Sequence, residues 1–294
     1  MRLTEAVAAF AVHLQANAKS PRTIDGYRRD LALLVAFAGD VEVETLTPDL
    51  LARFVVSDPV CLGRDGRPKA TVTVNRVKAA LKSFGGFLVG TGLLPADPSR
   101  AIEIRRAERH SPNSLTEAER KRLLREVTSR KGKAAARDLV ILKLFLGTGL
   151  RLAELVGLDI ADVDLDGKRI TIRAKGGRTE TRFLNSDLRT TLRKYLRRRD
   201  DMPSHAPALF LSNRDERLSA RQLQARFAQW LAWAGIDRDG LSIHSLRHTF
   251  GTRLYRKTRD LVLVGKAMGH RTTEATRVYV QTSDEELEEA LEFL

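Results

Sequence analysis

Cysteine and long apolar runs are scarce in this 294-residue sequence, and each scarcity excludes a class of protein. Cys61 is the single cysteine, so the chain can form neither an internal disulfide nor a cysteine-rich metal site. No apolar run approaches the roughly 20 residues that a membrane-spanning helix requires. With 43% hydrophobic and 30% charged residues, the composition is that of a folded globular protein. We therefore expect a cytoplasmic protein in a reducing environment, without membrane contact.

Basic residues outnumber acidic ones over most of the chain. The 51 Lys and Arg against 37 Asp and Glu give a formal net charge of +14 and an isoelectric point near 10.3. Residues 1–283 alone carry +20, whereas residues 284–294 carry six acidic side chains and no basic one. An excess of this size favours a polyanionic partner, nucleic acid first, over a basic surface that serves only solubility.

Apolar periodicity and helix-start signals divide the chain into two domains and a linker. Residues 1–93 predict a small all-α domain of four helices, two of which begin at Ser20-Pro21 and Thr47-Pro48. Residues 94–113 contain three prolines and several arginines, which predicts an extended basic linker. Residues 114–294 then form a larger second domain.

The second domain is predicted as helices around one small β-hairpin. A strongly apolar helix at residues 134–146 should form its centre. Strands at residues 168–174 and 180–184 should pair across the turn Lys175-Gly176-Gly177-Arg178. A further short strand is expected at residues 209–211. The predicted fold class is therefore mainly α, with a small antiparallel β-sheet in the second domain.

Two cationic side chains of the second domain stand at predicted turns. Arg151 follows the glycines of GTGLRLAEL, and Glu154 lies three residues later on the same face of the next helix. Lys175 lies at the hairpin tip beside two glycines, where it could meet a DNA phosphate or deliver a proton to a leaving oxygen. Taken singly, these residues are more typical of a surface ion pair and of a solvated turn lysine.

A third motif combines histidine and arginine on one helix face. In SIHSLRHTFGT, His244 precedes Arg247 by three residues and His248 by four. Two histidines at this spacing could bind zinc, but Ser245 stands where a metalloprotease would have glutamate, and no third ligand is evident. Arg and His are better suited to hold a phosphate, because one offers a fork of donors and the other can also move a proton. We therefore expect no metal here.

The fourth motif is a Gly-His turn followed by a tyrosine. Met268-Gly269-His270 ends a predicted helix, and Tyr279 follows nine residues after His270. A lone tyrosine among apolar residues is usually part of a core, but of the four tyrosines only Tyr279 follows closely on such a turn. In this order, two Arg, two His, one Lys and one Tyr suit a metal-free phosphoryl transfer on DNA. A phosphodiester under attack becomes a pentacoordinate dianion, and the protein must then supply the positive charge.

These motifs together resemble the tyrosine recombinases, the Xer-like family of site-specific integrases and recombinases. The resemblance rests on TGLRLAEL, the hairpin lysine, HSLRH, MGH and the tyrosine nine residues on, and it extends to SPRTIDGYRRDL in the first domain. It implies that Tyr279 is the nucleophile and forms a 3′-phosphotyrosine. The other roles that it implies are phosphate ligands at Arg151, Arg247, His244 and His270, with proton transfer also at His244, a general acid at Lys175, an orienting residue at Glu154, and a supporting or packing residue at His248.

The same resemblance implies how the enzyme would work as a whole. Its two domains would form a C-shaped clamp on double-stranded DNA, and a tetramer would assemble on paired DNA sites. The energy of the broken phosphodiester would be kept in the covalent intermediate, so neither ATP, another cofactor nor a metal would be required. The C-terminal helix at residues 284–294 would dock on a neighbouring protomer, of the same chain or of a related recombinase. Packing of that helix on its own domain is the alternative.

Three functions remain open at this point. The leading interpretation is a site-specific recombinase that resolves chromosome dimers, and so serves chromosome partition, or that integrates and excises mobile elements. A type IB topoisomerase shares the nucleophile chemistry but relaxes DNA as a monomer. A non-catalytic DNA-binding regulator on the same scaffold is the third, and the complete set of charged site residues argues against it. The sequence departs from the family pattern at two places. Met268 stands where leucine is usual, which changes the packing volume there. Val280-Gln281 stands where Thr-His is frequent, which concerns the contacts directly after the nucleophile.

Overall fold

The computed structural model describes residues 1–105, 113–132, 134–173, 179–200, 206–269, 276 and 279. The chain folds into two compact units, Met1–Glu108 and Arg109–Leu294. Within the described residues, no helix is both long enough and apolar enough to cross a membrane.

The first unit is entirely helical apart from its connections, as the sequence predicts. The side chains of Ser20 and Thr47 cap two of its helices, because each accepts the backbone N–H three residues further on and a proline follows directly. Both predicted helix starts are thereby confirmed. One short α-helix and one 3-10 helix (Val43–Thr45) add to the four that were expected. The helices are α1 (Leu3–Ala16), α2 (Pro21–Ala38), α3 (Pro48–Val56), α4 (Asp58–Cys61) and α5 (Thr71–Gly90).

Residues 94–105, the first part of the predicted linker, lie along α5. Lys82 Nζ donates to the backbone carbonyls of Arg100 (3.2 Å) and Ile102 (2.9 Å). One turn earlier, Lys78 Nζ donates to the carbonyl of Glu103 at 3.0 Å. The lysines of α5 therefore satisfy backbone carbonyl groups of a segment that forms no helix or strand hydrogen bonds of its own.

The second unit contains seven α-helices and one short 3-10 helix (Ile160–Asp162) in its described part. Thr116 and Glu119 form the reciprocal capping box at the first of them, since each side chain accepts the backbone N–H of the other residue. The helices are α6 (Glu117–Ser129), α7 (Ala135–Thr148), α8 (Leu152–Val156), α9 (Ser186–Asp200), α10 (Ala220–Trp233), α11 (Ile243–Thr258) and α12 (Leu261–Met268).

Helix α7 is the centre of the second unit, as its apolar sequence predicts. Its side chains are buried on nearly every face, and α6, α9 and α11 all pack against it. Phe145, for example, is 1% exposed. A helix surrounded in this way can move little, so the turn at its C-terminal end is placed by the whole core.

One three-stranded antiparallel sheet completes the second unit. Strands β2 (Arg169–Arg173) and β3 (Thr179–Phe183) pair with Thr171 opposite Thr181, which confirms the predicted hairpin. Strand β1 (Val163–Asp164) pairs with the other edge of β2 and was not predicted. The prediction of a strand at residues 209–211 is wrong. The chain there forms only single bridges to two different partners, Ala208 to Asp159 and Leu211 to Arg217, so no ladder develops.

Candidate active site

A glycine turn at the end of α7 positions Arg151. Gly149 adopts the left-handed conformation (φ 62°) that ends the helix, and Arg151 directly precedes α8. A Cβ atom on Gly149 would overlap the ring of Phe250, lying 2.9 Å from its Cε1. Both the backbone angle and the lack of space therefore require glycine at this position.

Glu154 orients the Arg151 guanidinium. Arg151 Nη1 donates to Glu154 Oε1 at 2.6 Å, and the backbone N–H of Arg151 donates to Glu154 Oε2 at 2.8 Å. Arg151 Nη2 donates to the carbonyl of Gly269 at 3.1 Å. The Glu154 side chain is 9% exposed whereas that of Arg151 is 44% exposed. A largely buried carboxylate thus fixes a guanidinium that solvent, and any anion in it, can still reach.

Arg247 lies beside Arg151 in a more buried position. It extends from α11, is 7% exposed, and donates from Nη1 to the carbonyl of Gly149 and from Nη2 to that of Met268 (2.7 Å). Burial, and next the positive charge of Arg151, lowers the pKa of Arg247 to about 10. Two guanidiniums that repel each other are held together by main-chain carbonyls, and a phosphate between them would relieve that repulsion.

Tyr279 reaches this site with its hydroxyl group against α11. The side chain is 3% exposed and packs on Val264 and Met268 of α12. The Tyr279 hydroxyl and His248 Nδ1 are 3.1 Å apart. Burial raises the pKa of the Tyr279 phenol, while the charges of Arg247 and Arg151 act to lower it. The phenol is therefore within the field of both arginines.

The two histidines of α11 occupy different environments. His244 is exposed, whereas His248, one turn later, is half-buried and faces Tyr279. Lys175, His270 and the tail at residues 284–294 lie outside the described residues. Gly269, which ends α12 in the left-handed conformation (φ 63°), directly precedes His270. The structure thus brings together Arg151, Glu154, Arg247, His248 and Tyr279.

Arg182 is a site neighbour that the sequence interpretation missed. It lies on β3, is 5% exposed, and donates from Nη2 to Glu180 Oε2 at 2.7 Å. Its charge contributes to the lowered pKa of Arg247, and a Cβ atom on Gly269 would lie 2.5 Å from Arg182 Nη2. The sequence carries no signal for it, because alternation in TETRF would turn Phe183 inward and Arg182 outward, whereas Thr181 and Phe183 are both exposed.

No group of three or more His, Cys, Asp or Glu side chains in the described part of the chain could hold a metal ion. Among the described residues, the cations of the site are guanidinium groups, which donate hydrogen bonds and bind anions. The chemistry that this arrangement supports is therefore attack by a phenol on a bound phosphate group.

Comparisons with known proteins identify the class to which this fold and site belong. The model of the phage integrase family matches residues 113–286, and that of the phage integrase N-terminal SAM-like domain matches residues 7–92. The chain belongs to the phage integrase family, the tyrosine recombinases. The predicted class of enzyme is confirmed, and neither a topoisomerase nor a non-catalytic regulator is favoured.

Individual relatives and solved structures agree with this assignment. Tyrosine recombinase XerC of Salmonella typhi is 33% identical over 260 residues, covering 88% of this chain and 85% of the relative. The XerC of Corynebacterium glutamicum is 31% identical over 92% of this chain and 85% of its own length. The fold is similar to XerH recombinase bound to its difH substrate after cleavage (TM-score 0.77, 23% identity, 91% and 78% of the two chains). It is also similar to a lambda integrase dimer on a core site (TM-score 0.74, 17% identity, 94% and 97%).

Proposed function

We propose that this recombinase cleaves and rejoins duplex DNA through a covalent bond between Tyr279 and the 3′ phosphate of the cut strand. The observation that carries this proposal is the position of the Tyr279 phenol, which lies in the electrostatic field of both Arg247 and Arg151. Attack on phosphorus requires a phenoxide-like oxygen and a phosphate whose charge is neutralised. Two guanidiniums beside one phenol supply both conditions.

The arginines bind the phosphate and stabilise the charge that develops on it. A guanidinium donates two parallel hydrogen bonds to phosphate oxygens, so Arg151 and Arg247 can contact the two non-bridging oxygens. Glu154 holds the first of them in the correct orientation. Because the phosphotyrosine retains the energy of the broken phosphodiester, rejoining needs no ATP. The charge that a metal ion would supply in other phosphoryl transfers comes here from arginine side chains.

The departing 5′ oxygen needs a proton donor, and we assign that role to Lys175 at the hairpin tip. His244 and His270 are assigned to the phosphate, with His244 also in proton transfer. His244 extends from the exposed side of α11, three residues before Arg247. His270 directly follows Gly269, whose carbonyl accepts from Arg151. These positions in the sequence, each beside a residue of the arginine pair or of its contacts, support both assignments.

Double-stranded DNA is the partner that the charge and the family support. We propose that the two units clamp the duplex, that four protomers assemble on two paired sites, and that residues 284–294 dock on a neighbouring protomer. The solved XerH and lambda integrase relatives are DNA complexes, and the latter is a dimer. The acidic tail has a charge opposite to that of the rest of the chain, which suits a contact with a neighbouring copy. Chromosome-dimer resolution and mobile-element integration in the cytoplasm are both compatible with this assembly.

A nicked suicide substrate tests the chemistry. Duplexes that the protein selects from genomic DNA would supply the site, and a nick beside the cleaved phosphate would trap the covalent adduct. We expect the adduct with the wild-type protein and none with Tyr279→Phe. Arg151→Ala and Arg247→Ala should abolish cleavage while DNA binding stays measurable. An adduct formed by Tyr279→Phe would refute the assignment of the nucleophile.

Two solution measurements separate this function from its alternatives. Binding should weaken steeply between about 50 and 200 mM salt, because contacts to phosphates release counterions. Relaxation of a supercoiled plasmid that lacks the selected site would instead indicate a topoisomerase. A protein that binds the site but never forms the adduct would be a regulator.

A further inference from the structure

We propose that His248 is a catalytic residue that accepts the proton of Tyr279 when the phenol attacks the phosphate. This inference rests on the proposed function, since it concerns the same nucleophile. It gives a chemical role to a residue that sequence interpretation treats as supporting or packing.

The distance and the orientation of the two side chains carry the proposal. His248 Nδ1 lies 3.1 Å from the Tyr279 hydroxyl oxygen, within the range in which a general base takes a proton directly. The two rings are 5.9 Å apart between centroids and inclined by 48°, so they meet at their edges and are not stacked. In the tautomer that carries its proton on Nε2, the imidazole presents the Nδ1 lone pair to the phenol.

The surroundings of His248 keep its imidazole neutral and therefore able to accept a proton. Burial, together with the nearby charges of Arg247 and His244 on the same helix, lowers the pKa of His248 below its usual 6.5. Besides these two groups, the titratable group that faces the imidazole in the described part of the chain is Tyr279 itself. At pH 7 the ring is a base.

The packing of the Tyr279 ring holds its hydroxyl group at this position. Gly251 follows His248 by three residues on α11 and therefore lies on the same face. A Cβ atom on Gly251 would lie 2.7 Å from Tyr279 Cζ and 2.8 Å from Met268 Sδ, so the ring rests directly on the helix backbone. With its ring seated against α11 in this way, the phenol oxygen is directed at the side chain one turn earlier.

The proton and the bonds balance in both directions of the reaction. In cleavage, the Tyr279 oxygen forms a bond to phosphorus, the bond from phosphorus to the 5′ oxygen breaks, and the phenol proton moves to His248 Nδ1. The 5′ oxygen takes its proton from the separate general acid. In rejoining, the 5′ hydroxyl returns its proton to that general acid and bonds to phosphorus, the bond from phosphorus to Tyr279 breaks, and the imidazolium returns its proton to the departing phenoxide.

Two substitutions at His248 separate proton transfer from positioning. His248→Asn places an amide oxygen close to the position of Nδ1, so it can accept a hydrogen bond but not a proton at neutral pH. His248→Phe removes both capacities and keeps a ring of similar shape. We expect single-turnover cleavage of the nicked substrate to fall by about 10²–10³-fold in both variants, with DNA affinity unchanged. Near wild-type cleavage by His248→Asn would overturn the proposal, because a positioning residue would need only the hydrogen bond.

A more acidic phenol at position 279 tests proton transfer directly, because it would not restore the cleavage rate if His248 had only a structural role. Difluorotyrosine in place of Tyr279 loses its proton more readily and should restore a large part of the rate lost in His248→Phe. The wild-type rate should also rise with pH as the imidazole loses its proton, and His248→Asn should lack that rise. Absence of rescue by difluorotyrosine would contradict the inference.

Two outcomes distinguish a failure of this inference from a failure of the proposed function. If Tyr279→Phe forms no adduct while both His248 variants cleave at the wild-type rate, the nucleophile stands and the proton acceptor is wrong. If Tyr279→Phe still forms the adduct, the proposed function itself fails.

Discussion

Substitution of Gly149 by alanine should destabilise the second unit by about 2–5 kcal/mol. A left-handed backbone costs a non-glycine residue roughly 1–2 kcal/mol, and φ at this position is 62°. The added Cβ would also overlap the Phe250 ring, and an additional methyl group in a well-packed core typically costs about 1–3 kcal/mol. The two effects act together at one residue, and their sum is a large fraction of the stability of a typical domain.

Tryptophan fluorescence during urea unfolding measures this loss in the second unit alone. The chain has two tryptophans, Trp230 and Trp233, and both lie on α10. Gly147→Ala is the matched control, because its Cβ would lie 3.4 Å from Leu188 Cδ2, which is an ordinary contact. That substitution lies inside α7, where alanine is favoured over glycine by up to about 1 kcal/mol, so it should not destabilise the unit.

A double variant separates the steric effect from the backbone effect. Phe250→Ala removes the ring that the new methyl group would meet, so Gly149→Ala should be less costly in the Phe250→Ala background by at least about 1 kcal/mol. The backbone cost of roughly 1 kcal/mol should remain. Cleavage should fall more than DNA binding, because the Gly149 carbonyl accepts from Arg247 and Arg151 follows two residues later. Additive losses, within about 0.5 kcal/mol, would refute the steric part of this reasoning.

Three further predictions concern other groups of the second unit. Glu154→Gln should slow single-turnover cleavage by about 10–100-fold and leave DNA binding within about twofold, because one amide oxygen cannot accept both bonds that orient Arg151; unchanged cleavage would contradict that role. Asp138→Asn should cost about 2–4 kcal/mol of unfolding free energy by tryptophan fluorescence, since the 1% exposed carboxylate pairs with Arg226 and with a second arginine; a loss below about 1 kcal/mol would mean that the pairing is weak. Burial raises the pKa of Tyr195 to about 12, so its phenol keeps its proton in the folded state while the unfolded chain loses it near pH 10. Unfolding free energy should therefore fall between pH 10 and 12, and Tyr195→Phe should lessen that fall; an identical pH dependence in the variant would contradict the raised pKa.

Local signals account for the parts of the fold that the sequence predicts well. The caps at Ser20 and Thr47, and the capping box at Thr116 and Glu119, involve residues three positions apart, so the pattern and the structure describe the same bonds. The hairpin of β2 and β3 likewise depends on alternation and a short turn. The order of the charged motifs was sufficient to predict the family, although each motif alone is weak.

The remaining features depend on contacts between residues far apart in sequence. Strand β1 is two residues long, which is too short for a periodic pattern, and its pairing with β2 decides its existence. The segment at 209–211 is apolar like a strand, but it bridges two separate partners. Arg182 lies next to Gly269, and His248 next to Tyr279, across 31 residues in the second case. Helical spacing placed His244 and His248 on one face, and only the packing of Tyr279 distinguishes them.

The site is prepared for an anion by the ends of two helices. Helices α7 and α12 both end at a glycine in the left-handed conformation, Gly149 and Gly269. The carbonyls at these two ends accept from Arg247 and Arg151, and a helix C-terminus carries a partial negative charge. That charge offsets the repulsion between the guanidiniums, so both can stay in place before a phosphate arrives. Each turn is linked to both arginines: the Gly149 carbonyl accepts from Arg247 and Arg151 follows two residues later, while the Met268 and Gly269 carbonyls accept from Arg247 and Arg151. A change at either glycine would therefore move both arginines, and the phosphate would lose both ligands at once.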